Sequence, residues 1–223
     1  MQAALPAWRW SPFLRNHDQR RTATELGADP ARLRAAATLL LTLPGLPFVY
    51  YGEELGMTGD KPDERIRTPM PWTIAAPHAG FTRGTPWQPL QSDSLTANVG
   101  AQDRDPGSLL NLHRRLIHLR DAHPALAAGT LVPLATGDPA VTAYVRREGR
   151  RAVLVVGNLG AEARTGVALA SDARALPSGR FRPRDLLGGA QPASLTVPAD
   201  GRLRGYVPLA TLAPRTVYVL DLR

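Results

Sequence analysis

Three polar residues, Asn16, His17 and Asp18, directly follow the apolar residues Phe13 and Leu14. In a parallel α/β barrel, active sites assemble at the carboxyl ends of the strands, where a cluster of this kind would lie. The alternative interpretation is a turn whose polar side chains only cap a loop.

Two later segments carry further charged candidates. Glu53 follows the apolar residues 46–51, and Arg67 lies four residues after Asp63 in a polar stretch. Glu53 is either an acid/base candidate or part of a loop scaffold, and its residue type and position alone do not decide between them. Arg67 and Asp63 form either a ligand-binding pair or a structural ion pair, and the sequence leaves both open.

The elements that must position these residues follow an α/β order. Asp29 and the proline after it predict a helix over residues 30–43, because the carboxylate caps free N–H groups and proline suits the first helical position. Residues 46–51 predict a strand buried on both faces. The stretch 52–107 is long enough to indicate a functional loop, and a second helix is expected over residues 108–122. This order is typical of a parallel α/β barrel or sheet.

After Gly129 the pattern changes to short alternating apolar segments, which indicates antiparallel β structure. The clearest predicted strands are residues 141–145, 152–156 and 216–222. Shorter predicted strands lie between them, at residues 131–134, 164–169, 181–187, 195–197 and 204–207. We therefore expect a domain boundary near residue 128.

Composition excludes several classes of function. The net charge is +8, but the basic residues are scattered without a run of five, which disfavours a nucleic-acid partner. The chain has no cysteine, and its histidines lack the spacing of metal ligands, so neither a thiol nucleophile nor a metal site is expected. No glycine-rich phosphate loop follows a strand, and no cofactor is implied.

Membrane and export signals are also missing from the pattern. The apolar region 35–51 is interrupted by Pro44, Gly45 and Pro47, so a continuous membrane helix is not expected. Residues 1–13 do not read as a signal peptide. These features favour a soluble chain without a membrane partner and a cytoplasmic location.

Three segments together resemble the alpha-amylase family of glycoside hydrolases, namely residues 13–19, 44–54 and 67–72. The resemblance places Asp18 at the end of barrel strand seven and extends over essentially the whole chain. It implies a C-terminal fragment of a (β/α)8 barrel over residues 1–128, with the last two strand-helix units, and an antiparallel β-sandwich over residues 129–223. Residues 63–70 are similar to the branch with alpha-glucosidases, oligosaccharide-cleaving amylases and trehalose synthases.

The resemblance also implies roles for individual residues. Asp18 corresponds to the transition-state stabiliser, which hydrogen-bonds the sugar hydroxyls beside the reacting carbon. A carboxylate suits this role because the transition state resembles an oxocarbenium ion. His17 would donate to the same sugar ring, and Arg67, positioned by Asp63, would bind the sugar.

The implied activity is cleavage of α-glucosidic bonds in malto-oligosaccharides or starch with retention of configuration. Such a reaction needs a nucleophile and an acid/base, which the resemblance places at the ends of barrel strands four and five, and the residues before Trp10 leave no room for those strands. We therefore expect this chain by itself to be inactive. The alternatives are a trehalose synthase-like transglycosylase and a non-catalytic carbohydrate-binding fragment. Trp72 and Trp87 offer sugar-stacking surface, although aromatic residues near barrel strands are more often core.

Overall fold

The computed structural model describes residues 9–75 and 77–223. These residues form two compact units. The first, the loop unit, holds residues 11–41 and 47–117; the second, the β unit, holds residues 9–10, 42–46 and 118–223. No helix in the described ranges is both long and apolar enough to cross a membrane. The domain boundary expected near residue 128 stays a prediction.

Four of the five α-helices of the described residues end before His123: α1 (Thr22–Glu25), α2 (Pro30–Thr42), α3 (Val99–Asp103) and α4 (Leu109–Ala122). The predicted start of α2 is confirmed, because Asp29 Oδ1 accepts from the backbone N of Ala31 at 2.9 Å and of Arg32 at 3.1 Å. The second predicted helix is confirmed as α4, which begins at Leu109 and ends before the turn at His123.

The predicted strand over residues 46–51 is wrong in extent and in burial. Its backbone forms one parallel bridge, between Phe48 and Phe13, with Phe48 N donating to Pro12 O at 2.9 Å. Phe48 is 61% exposed and Phe13 is 48% exposed. A parallel strand is buried only where strands pair on both of its edges and helices cover its faces. In the part of the chain that the structure describes, Phe13 is its only bridge partner.

The long loop 52–107 contains short helical segments. It contains three short 3₁₀ turns, at Glu53–Leu55, Asp63–Arg65 and His78–Gly80, and the helix α3. Asn98 holds the start of α3: its Oδ1 accepts from Ala101 N at 2.7 Å, and its amide donates to Ser94 O at 2.9 Å. The loop therefore has local structure of its own, and its predicted functional role stays a prediction.

The β unit begins with α5 (Pro124–Ala127) and continues as antiparallel strands. The strands are β1 (Thr130–Pro133), β2 (Val141–Glu148), β3 (Arg151–Asn158), β4 (Arg164–Thr165), β5 (Gly179–Phe181), β6 (Arg184–Asp185), β7 (Leu195–Val197), β8 (Thr211–Leu212) and β9 (Thr216–Leu222). A five-stranded sheet has the order β1-β2-β3-β9-β6, and two small sheets pair β4 with β8 and β5 with β7. The antiparallel prediction is confirmed, whereas the predicted strand at residues 204–207 is reduced to one bridge at Tyr206.

The core of the β unit lies on the five-stranded sheet. Strand β3 is central, and residues on both of its faces are buried, including Val153 at 1% and Leu154 at 0% exposure. Alternate residues along a strand point to opposite faces, so this burial means that both faces of β3 are covered. A sandwich arrangement of the three sheets stays a prediction.

Arg146 is a buried cation without an acidic partner among the described residues. It lies on β2, is fully buried, and donates to three carbonyl oxygens: Thr42 O at 2.5 Å, Leu126 O at 3.0 Å and Gly129 O at 2.9 Å. Thr42 is the last residue of α2 and Leu126 lies in α5, so the guanidinium satisfies carbonyls at helix ends. Burial lowers the pKa of Arg146 to about 10.

We predict that Arg146→Met destabilises the chain by about 2–4 kcal/mol, because three buried carbonyl oxygens lose their donor. Urea unfolding followed by circular dichroism measures the change. Arg180→Met, at an exposed position of β5, is the control and should change the unfolding free energy by less than about 0.5 kcal/mol. Equal losses for both variants would contradict the bridging role of Arg146.

Candidate active site

The residues that the sequence singled out lie together in the loop unit. Arg67 Nη2 donates to Asp18 Oδ1 at 3.0 Å and to Asp63 Oδ2 at 3.1 Å. Arg67 Nε donates to His17 O at 3.1 Å, and His17 Nε2 lies 3.4 Å from Asp18 Oδ1. The structure therefore brings His17, Asp18, Asp63 and Arg67 into one cluster. The contacts of Arg67 with Asp18 and with Asp63 are both ion pairs.

The turn that carries Asp18 is formed by Asn16. Asn16 Oδ1 accepts from Asp18 N at 3.0 Å, and Asn16 O accepts from Gln19 N at 3.3 Å. This side-chain-to-backbone bond is the usual way in which asparagine forms a tight turn. It holds the backbone of Asp18 while leaving the carboxylate open to solvent.

The cluster is accessible and electrostatically balanced. The side chains of His17 and Asp18 are 62% and 60% exposed, and Asp18 Oδ2 has no protein partner among the described residues. Asp63 accepts hydrogen bonds from Lys61 and from Arg67. These two cations hold the pKa of Asp63 below its usual value, and Lys61 has the larger effect. Asp18 therefore presents one free, charged carboxylate oxygen to any ligand that enters.

Arg21, which sequence analysis did not select, organises the loops behind the cluster. Its side chain is fully buried; Nε donates to Ile66 O at 3.0 Å and Nη1 donates to Tyr51 O at 2.7 Å. The guanidinium carbon lies 4.6 Å from the ring centre of Tyr50 and 4.8 Å from that of Tyr51, within cation–π range. In the sequence only its place three residues after Asp18 distinguishes Arg21 from the other arginines.

The two tyrosines extend this support to the segment that carries Arg67. Tyr51 Oη donates to Thr68 O at 2.7 Å, and Tyr50 Oη donates to Ile66 O at 3.5 Å. Residues on both sides of Arg67 are thus anchored to the same buried group. Burial raises the pKa of Tyr50 to about 12, so this hydroxyl stays protonated and remains a donor.

Glu53 is buried and bonded within the protein. Its Oε1 accepts from Thr22 N at 3.4 Å and lies 3.9 Å from Arg21 Nη1. Burial raises the pKa of Glu53, and the bond from Thr22 and the charge of Arg21 oppose this shift. The geometry fits the scaffold interpretation, because a side chain that is 7% exposed does not face a substrate.

Of the two alternatives left open for the tryptophans of this loop, core or exposed surface, the structure shows exposed surface. Trp72 is 50% exposed and Trp87 is 62% exposed. Aromatic side chains become core only where other elements cover them, and the described residues leave these two indoles open. No group of three or more acidic or histidine side chains in the described ranges is arranged to hold a metal ion.

Comparison with known proteins identifies the family. A family model described as the alpha amylase catalytic domain matches residues 1–129, which is more than half of the 223 residues. The chain therefore belongs to the alpha-amylase family of glycoside hydrolases and transglycosylases. This result confirms the family that the three sequence segments predict.

Three characterised relatives differ in their activities. The chain is 37% identical to alpha-amylase 3 of Dictyoglomus thermophilum (66% of this chain, 29% of that protein) and 32% identical to an oligo-1,6-glucosidase of Parageobacillus thermoglucosidasius (70% and 35%). It is 34% identical to the trehalose synthase/amylase TreS of Mycolicibacterium smegmatis (68% and 34%). The chain spans about a third of the length of these curated relatives.

A solved structure extends the likeness to the β unit. The isomaltulose synthase PalI from Klebsiella sp. LX3 matches 96% of this chain and 43% of its own, with a TM-score of 0.72 and 27% identity. The chain thus has the fold of part of an alpha-amylase-family barrel enzyme, in agreement with the predicted α/β and antiparallel elements.

We predict that Arg21→Lys lowers the unfolding free energy by about 2–4 kcal/mol, because lysine cannot donate to Tyr51 O and Ile66 O together. The neighbouring Arg20 provides a matched control. It is half-exposed and pairs with Asp60, so Arg20→Lys should cost less than about 1 kcal/mol. Urea unfolding of both variants measures the difference, and a similar small loss for both would contradict the organising role of Arg21.

A second prediction concerns pH. Burial raises the pKa of Glu53 above its ordinary value of 4.5, so the folded state holds this proton more tightly than the unfolded chain. The stabilisation is complete below the ordinary pKa and is lost as the pH rises through the raised pKa. Glu53→Gln should therefore reduce the decline of the unfolding free energy above pH 4.5. Some decline should remain, because burial also raises the pKa of Glu54.

Urea unfolding at several pH values between about 4 and 8 measures this decline for the wild type and for Glu53→Gln. Glu64→Gln, at an exposed position of the same loop, is the matched control. An unchanged pH dependence in Glu53→Gln would show that Glu53 is not desolvated in solution.

Proposed function

We propose that this chain is the part of an alpha-amylase-family enzyme that supplies the stabilising carboxylate for retaining cleavage of α-glucosidic bonds. The proposed substrates are malto-oligosaccharides or starch. The observation that carries the proposal is the free, exposed carboxylate oxygen of Asp18, held on a turn whose neighbours Arg67 and Asn16 restrain it. The nucleophile and the acid/base are proposed to lie outside these 223 residues.

Asp18 acts through charge and hydrogen bonding in this proposal. Its Oδ1 is oriented by Arg67, so Oδ2 remains available to accept from sugar hydroxyls beside the reacting carbon. Such bonds tighten as positive charge develops at that carbon, which lowers the barrier for both steps of a double displacement. Because the position of the Asp18 carboxylate is set before the substrate arrives, the site needs little reorganisation to reach the transition state.

His17 and Arg67 are proposed to bind the sugar. His17 Nε2 lies beside the same carboxylate oxygen that Arg67 contacts, so the imidazole can donate to a hydroxyl of the ring that Asp18 engages. Arg67 is a charged donor whose Nη2 donates to Asp63 as well as to Asp18. Its proposed role is to set the position of the carboxylate and to contact a sugar hydroxyl.

Transglycosylation is the second candidate. The likeness to a trehalose synthase/amylase and to an isomaltulose synthase supports it. The same double displacement serves both outcomes, since a sugar hydroxyl can replace water in the second step. Chromatography of the products that a polypeptide joining this chain to the rest of a barrel forms from maltose distinguishes the two. Hydrolysis yields glucose alone, whereas transfer yields, besides glucose, a new disaccharide or a trisaccharide, depending on the acceptor.

The proposal predicts a large kinetic effect of Asp18→Asn in a polypeptide that joins this chain to the rest of a barrel. The value of kcat should fall by about 10²- to 10³-fold, or roughly 2.7–4 kcal/mol, as for other preorganised electrostatic groups. Steady-state kinetics with an aryl maltoside measures the effect.

Asp60→Asn is the matched control, because Asp60 lies in the same unit, is half-exposed and pairs with Arg20. It should leave kcat within about twofold. A loss for Asp18→Asn that is confined to KM would instead assign Asp18 to uniform substrate binding.

A further inference from the structure

Arginine side chains gather at one end of the five-stranded sheet in the β unit. The register pairs Thr130 with Arg147 and Glu148 with Arg151, so these residues lie at the same end of strands β1, β2 and β3. Between β2 and β3 the chain turns through a two-residue connection that contains Arg150. The topology therefore brings basic residues of several strands to one end of the sheet.

An open depression of about 460 Å³ lies at this end of the sheet. We name it the arginine depression; its lining residues are Thr130, Arg147, Glu148, Gly149, Arg150, Arg174 and Pro177. Three guanidinium groups face one carboxylate there. In the described part of the chain, none of the three guanidinium groups takes part in a hydrogen bond or an ion pair.

The position of Arg147 follows from strand geometry. Val145 and Arg147 are two residues apart on β2 and so point to the same face of the sheet. Val145 is fully buried in the core cluster that also contains Leu176. Arg147 comes after this core and is half-buried, so its stem is packed while its charged end reaches the depression.

Arg174 is placed by a close approach to the backbone. Gly201 has a φ of +73°, and a Cβ at this position would lie 2.5 Å from Arg174 Cγ and 2.9 Å from its Nε. Gly201 O also accepts from Ala175 N at 2.9 Å and from Leu176 N at 3.1 Å. The arginine side chain thus lies against a glycine that leaves it room, on a backbone segment held by two hydrogen bonds.

We propose that Arg147, Arg150 and Arg174 form a binding site for the phosphoryl groups of a small phosphorylated ligand. Guanidinium groups present paired N–H donors that match phosphate oxygens, and among the described residues none of these three groups is bonded to a protein acceptor, Glu148 of the lining included. The volume of the depression lies within the range of small-molecule sites. Its lining has no aromatic residue to stack on a nucleobase, which disfavours a nucleic acid.

A second depression extends the site. It has a volume of about 390 Å³, shares Arg150, and adds His123, Arg151 and Arg223 to the lining. A ligand with two or more phosphoryl groups can therefore occupy both depressions through Arg150. Phosphorylated sugars and short polyphosphates are the two sources of this chemistry.

Isothermal titration calorimetry with the full chain in about 0.15 M salt tests the proposal, since this ionic strength screens weak long-range attraction. The probes are glucose 6-phosphate and tripolyphosphate, and unphosphorylated glucose is the ligand control. Binding of either phosphorylated probe without binding of glucose is expected, and the probe that binds identifies the source. Absence of binding by both probes, or equal binding of glucose, overturns the proposal.

Variants localise the site. Arg150 lies in an exposed turn, and Arg150→Gln should lower the affinity for the probe by about tenfold, as expected for loss of one charge-assisted contact. Arg174→Gln should weaken its binding as well, because it removes a second exposed guanidinium group from the lining. Arg83→Gln removes the same charge from an exposed position of the loop unit and should have no effect. Equal weakening by Arg83→Gln and Arg150→Gln would mean non-specific attraction and would overturn the proposal.

Discussion

The loop unit depends on one buried guanidinium. Arg21 has no access to solvent; its Nε and Nη1 donate to backbone carbonyls of two loops, its guanidinium lies over two tyrosine rings, and its Nη2 has no hydrogen-bond partner among the described residues. A buried cation is costly unless its donors are satisfied, so these loops can close on Arg21 only in the arrangement that supplies those acceptors. Because Arg21 follows Asp18 by three residues and holds Ile66 beside Arg67, the same group sets both halves of the candidate site.

The β unit uses a similar device. Arg146 takes three carbonyl oxygens at the ends of helical segments, and its charge is not neutralised by a carboxylate in the described residues. Helix ends carry partial negative charge on their free carbonyls, which explains why a cation is tolerated there. The excess of arginine in this chain is therefore not only surface charge. Arg21 and Arg146 hold loops and helix ends together through hydrogen bonds, whereas the arginines of the arginine depression stay unpaired among the described residues.

The open geometry of Asp18 accounts for the division of labour in the proposed enzyme. In this proposal the carboxylate of Asp18 must reach a sugar ring, and it lies on an exposed turn, whereas Arg21, which anchors the neighbouring loops, is buried. Retaining cleavage needs two further carboxyl groups. The curated relatives are about three times as long as this chain, which leaves ample polypeptide for those groups.

Local signals in the sequence determined the helices at Pro30–Thr42 and Leu109–Ala122 and the main antiparallel strands, because capping, periodicity and alternation act over a few residues. The family motifs also singled out the residues that cluster around Arg67. Tertiary structure alone decided which arginines are buried, since Arg21 and its exposed neighbour Arg20 look alike in the sequence. It also decided that residues 46–51 are exposed, because burial of an apolar strand depends on partners that its own sequence does not encode.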